Sequence, residues 1–125
     1  VYQDLSLGTA SCFSSWANAA VFVYDIETEA RVRLTNGEWI AAYPDVFGDI
    51  VIWADYRNCA DPNNKNSFYN VEIWGHDLVS GVDFQITNLP GRAKTTPRIW
   101  GDKVYVHMYT TSGGSAIYMF DLPAH

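Results

Sequence analysis

Positive charge is scarce in this chain: eight Lys and Arg stand against fourteen Asp and Glu, giving a formal net charge of −6. A phosphate-binding surface needs clustered cations, and these eight are scattered, so nucleic acid is excluded as a partner. No apolar run approaches the roughly 18 to 20 residues of a membrane-spanning helix, so no membrane span is expected. Two cysteines, Cys12 and Cys59, are too few for a disulfide framework or a cysteine-based metal site. Catalytic signatures are missing too: there is no Gly-x-Ser-x-Gly elbow and no His-Glu-x-x-His helix. The first residue is Val1 and no signal peptide precedes it, which fits a mature or trimmed chain. Sustained helical periodicity is also lacking, which points to an all-β domain.

What the chain has in quantity is β-branched and aromatic residues, with 48% hydrophobic and 15% aromatic content, ample for a packed core. They are arranged in repeats. "YPDVFGDIVIWADYRN" (43–58) returns as "TPRIWGDKVYVHMYTT" (96–111), with Pro44, Gly48 and Asp49 answered by Pro97, Gly101 and Asp102, 53 positions later. "VFVYDIETEARVRLTN" (21–36) is echoed by "EIWGHDLVSGVDFQITN" (72–88) at an offset of 52, aligning Asp25 with Asp77. "VYQDLS" matches "IWADYR", and "AIYMFDL" (116–122) repeats the strand that ends at Asp77. Each unit reads as four antiparallel strands, A to D, punctuated by Gly-Asp and Ser-Gly turns.

A repeated four-stranded antiparallel unit of this length is the mark of a propeller blade, which buries its faces only by stacking on neighbours. In "YPDVFGDIVIWADYRN", "VEIWGHDLVSGVDFQITN" and "VFVYDIETEARVRLTN" the chain resembles the TolB-like β-propeller family of bacterial and archaeal secreted or cell-surface proteins. The resemblance implies a single partial propeller over residues 1–125: a partial blade at 1–36, a full blade at 43–88 and a partial blade at 96–125. About two and a half blades fall short of the roughly four to eight of a closed propeller. A segment of a longer propeller is therefore expected, the remaining blades being its partners; the alternative is completion by other copies of the chain.

In this scheme the B–C loops and the D–A connections emerge on one face. The loops at 5–20 and 56–70 are long, and long loops on a rigid scaffold are where binding is placed. Trp16, Tyr56, Arg57, Asp61, Asn63 and Tyr69 are the binding candidates, with a protein or a glycan as the ligand. Cys12 and Cys59 occupy adjacent loops on that face. They either form an interblade disulfide, which implies an oxidising compartment, or are unrelated thiols.

No cofactor is expected, and metal binding has only a weak calcium candidate in Asp55, Asp61 and Asn63. The Asp- and Asn-rich loop offers oxygen ligands but lacks the Gly and Glu of an EF-hand, and turn formation accounts for its composition. The repeated Asp residues read as turn caps and His76 as a packed ring, while His107 corresponds to Ala54 in the repeat, and neither histidine is read as catalytic. The leading expectation is a non-catalytic binding or scaffold module of an extracellular, cell-surface or periplasmic propeller. The alternatives are a segment of a propeller-based enzyme, a polysaccharide lyase or hydrolase, and a structural subunit of an extracellular assembly.

Overall fold

The computed structural model describes residues 2–4, 19–36, 39–57, 70–109 and 113–125. Over these residues the chain is all-β. Three antiparallel sheets follow one another in sequence: β1 (Tyr2–Asp4), β2 (Ala20–Tyr24) and β3 (Arg31–Arg33); then β4 (Ala41–Phe47), β5 (Ile50–Asp55), β6 (Glu72–Asp77) and β7 (Asp83–Gln85); then β8 (Lys94–Trp100), β9 (Lys103–Tyr109) and β10 (Ser115–Asp121). Within each sheet, every strand pairs with its neighbour in sequence.

The sequence repeat is a repeat of hydrogen bonds. Val21 N donates to Thr35 Oγ1 and Ile73 N to Thr87 Oγ1, each at 2.9 Å. Arg33 and Gln85 each reach past their strand end to the carbonyl of that same threonine. Asp25 Oδ1 accepts from the amides of Glu27 and Thr28, and Asp77 Oδ1 from those of Val79 and Ser80, so the same carboxylate caps the same turn twice. Those amides hold both carboxyls below the usual aspartate value.

Strands β4 and β8, at Ala41 and Lys94, begin two residues before the blade starts at 43 and 96 that the sequence pattern suggests. A bulge between Ala42 and Asp45 and another between Thr95 and Arg98 carry the strand past each proline. The residue ahead of each, Tyr43 or Thr96, takes a positive φ, of 54° and 47°. Proline has no N–H for the ladder, and the bulge sets it outside the pairing.

Two hydrophobic layers flank the middle sheet. Val51 and Trp53 pack with Val21 and Ala41 on one side, while Ile52, Ala54 and Ile73 meet Ile99, Val104 and Val106 on the other. Covered on both faces, β5 is apolar at every position from Val51 to Ala54. Strand β9, covered on one face, alternates: Val104, Val106 and Met108 are buried and Tyr105 and Tyr109 exposed. Asp45 Oδ2 accepts from Ile99 N at 2.9 Å and ties the second sheet to the third.

Gly75 is fixed by packing: a Cβ there would lie 2.7 Å from Phe84 Cζ and 3.3 Å from Ile86 Cδ1. Gly75→Ala is therefore expected to cost about 1–3 kcal/mol in urea denaturation, the usual effect of overpacking. No loss would mean that Phe84 moves aside freely.

Candidate functional site

Strand β5 ends in Asp55, whose carboxylate is buried and collects five N–H donors. Oδ1 accepts from the backbone N and Nε of Arg57, at 2.9 and 2.8 Å. Oδ2 accepts from Arg57 Nη2 at 2.9 Å and from the indole nitrogens of Trp53 and Trp39 at 2.8 and 3.1 Å. The fork-to-fork geometry is that of a strong Arg–carboxylate pair. It holds the guanidinium over two rings, 3.7 Å from the centroid of Trp74 and 4.7 Å from that of Trp39. The arginine side chain remains 23% exposed.

Beside this clamp is a cavity of about 170 Å³ lined by Leu34, Thr35, Asn36, Trp39, Arg57 and Asp83. It lies where the end of the first sheet meets the second. Leu34 to Asn36 follow β3, Trp39 precedes β4, Arg57 opens the long loop after β5, and Asp83 starts β7. Its wall thus combines an indole, a guanidinium, a carboxylate, an amide and a hydroxyl. Asp83 Oδ1 lies 2.5 Å from His76 Nδ1 on the adjacent strand. Trp74 Nε1 is buried with no hydrogen-bond partner among the described residues, a donor lacking an acceptor beneath the Arg57 guanidinium.

Of the binding candidates, Arg57 stands at the cavity. Tyr56 points inward: it is 5% exposed, packs with Ile40 and Val71, and its phenol is pushed up by burial, with Tyr43 adding to the effect. Its amide donates to Ile40 O at 2.9 Å, so strand pairing runs one residue past Asp55 and carries the ring into the core. Trp16, Asp61, Asn63 and Tyr69 lie outside the described residues, as do Cys12 and Cys59. Asp55, named with Asp61 and Asn63 as a calcium candidate, has both oxygens engaged by nitrogen donors and would have to release them to ligate a metal. Among the described residues no group of three or more His, Cys, Asp or Glu is placed to hold a metal ion.

Trp39 went unnoticed in the sequence because "NGEWI" has no counterpart in the other repeats. Trp100 is 74% exposed, with its ring edge-on to Phe47. Among the described residues no helix is long and apolar enough to cross a membrane. No protein-family model matches the chain, and no curated protein matches it.

Proposed function

We propose that the chain is a non-catalytic binding module made of TolB-like propeller blades, extracellular or at the cell surface, which recognises a protein or glycan through the face where the long B–C loops emerge. The observation that carries this reading is the Arg57 clamp. A guanidinium set against two indoles, locked by a buried carboxylate and left partly exposed beside a cavity, is a preorganised contact group that the sheets do not need in order to pair.

The blade reading draws support from the outer face of the third sheet. Ile52, Ala54 and Ile73 of the middle sheet are buried against the third sheet, and their repeat equivalents there are Tyr105, His107 and Ile117. Tyr105 and Ile117 are exposed, with Met119 and Trp100 beside them. A face of this kind suits one further blade, supplied by the rest of a longer propeller.

Screening the chain against arrays of glycans and extracellular proteins tests the binding reading. Any ligand recovered is expected to lose about tenfold or more in affinity to Arg57→Lys, which keeps the charge but loses the planar fork. Full affinity in that variant would place the binding surface elsewhere.

A further inference from the structure

The charges around the cavity are already spoken for, and that bears on what enters it. Both carboxylate oxygens of Asp55 face Arg57, and Asp83 is engaged by His76. An anionic ligand would meet one cation already neutralised by its own carboxylate, with Asp83 close by. A cationic ligand would be set against the guanidinium in the same wall. What remains is hydrogen-bonding capacity of both kinds: donors on Arg57 and acceptors on Asp83. The indole of Trp39 forms an apolar wall.

From this balance we infer that the cavity takes an uncharged sugar ring, most simply the terminal residue of a neutral glycan. The inference rests on the binding reading above and names its ligand class. Vicinal hydroxyls donate and accept at once, so a sugar satisfies Arg57 and Asp83 together, while its C–H face lies against Trp39. The cavity, at about 170 Å³, is smaller than the ~300–1,000 Å³ that encloses a drug-sized ligand, which fits an end residue and not a buried chain.

The test is titration calorimetry with neutral oligosaccharides, uronate-containing oligosaccharides and lysine- or glutamate-rich peptides, at low and high salt. Neutral sugars are expected to bind with an affinity that salt leaves unchanged, because no net charge is paired. Asp83→Ala, at the cavity wall and outside both hydrophobic layers, is expected to weaken binding about tenfold or more while the urea midpoint holds. Preferred binding of acidic glycans or charged peptides, weakened by salt but still lost in Asp83→Ala, would overturn the sugar assignment and leave the site standing. Binding indifferent to Asp83→Ala and Arg57→Lys would overturn the site itself, and a panel in which nothing binds would overturn both.

Discussion

Lys94→Ala is expected to destabilise the chain by about 3–5 kcal/mol, the range for breaking a buried ion pair by removing one partner. Lys94 is fully buried, and its ammonium donates to the carbonyls of Val71, Leu89 and Arg92 at 3.0, 2.6 and 2.8 Å. It also stands 3.2 Å from Glu72 Oε2. Glu72 is tied in turn to the Thr87 hydroxyl and the Leu89 amide. Removing the lysine strands a buried carboxylate and three carbonyls at the junction of the second and third sheets.

The positions equivalent to Glu72 and Lys94 in the preceding repeat are Ala20 and Ala41, both buried, so an apolar solution to this junction exists in the same chain. The double variant Glu72→Gln, Lys94→Met is accordingly expected to recover more than half of the loss in urea denaturation. A cost below about 1 kcal/mol for Lys94→Ala would mean that water already screens the pair.

The same lysine gives a pH signature. Burial lowers its affinity for a proton, with Glu72 opposing, so the folded value lies below the ordinary 10.5. Between those values the unfolded chain binds more protons than the folded one, and stability rises with pH through that window. Tyr56 acts in the opposite sense above about pH 10, since its raised phenol keeps a proton that the unfolded chain loses. The Lys94 contribution is isolated as wild type minus Lys94→Met: that difference should grow with pH up to 10.5 and then level off. A flat difference would contradict a charged, buried Lys94.

Asp55→Ala is the second large effect, with an expected cost of about 3 kcal/mol and a loss of ligand affinity of about a hundredfold. Five donors lose their acceptor at once, two of them indole nitrogens at the edge of the core and three from Arg57. The guanidinium is partly exposed and regains some hydration, which keeps the stability cost below that of a fully buried charge. Affinity suffers more, because Arg57 loses the carboxylate that orients it. Asp55→Asn, which retains one acceptor oxygen, should fall between wild type and alanine on both measures. Equal losses in stability with unchanged binding would mean that the clamp only braces the fold.

Much of the strand order was legible because the repeat writes each turn twice: Gly48-Asp49 and Gly101-Asp102 fix the hairpins, and Asp25 and Asp77 the capped turns. Departures came where two repeats differ. Glu72 and Lys94 face alanines in the alignment, so nothing in the periodicity signals a pair joined across 22 residues. Tyr56 looked like a loop residue because the Asp before it ends the apolar run. The backbone bond to Ile40 that extends the strand has no side-chain signature. Trp100 and Trp53 both lie in strands, yet Trp53 is packed between two sheets while Trp100 is largely exposed, with its ring edge-on to Phe47. Arg57 was visible as a charged residue at the mouth of a long loop. Its two indole partners come from a connection and from a strand 17 residues on, and only the fold brings them together.

The most direct measurement of the central claim, that the Arg57 clamp is the binding element, is the set of indole N–H signals in a nitrogen-15 NMR titration with the tightest glycan or protein ligand. Trp39 and Trp74 are expected to shift saturably at one dissociation constant, with Trp53 moving less through Asp55 and the exposed Trp100 unmoved. Saturable shifts at Trp100 with Trp39 and Trp74 unchanged would place binding on the outer face of the third sheet and contradict the account.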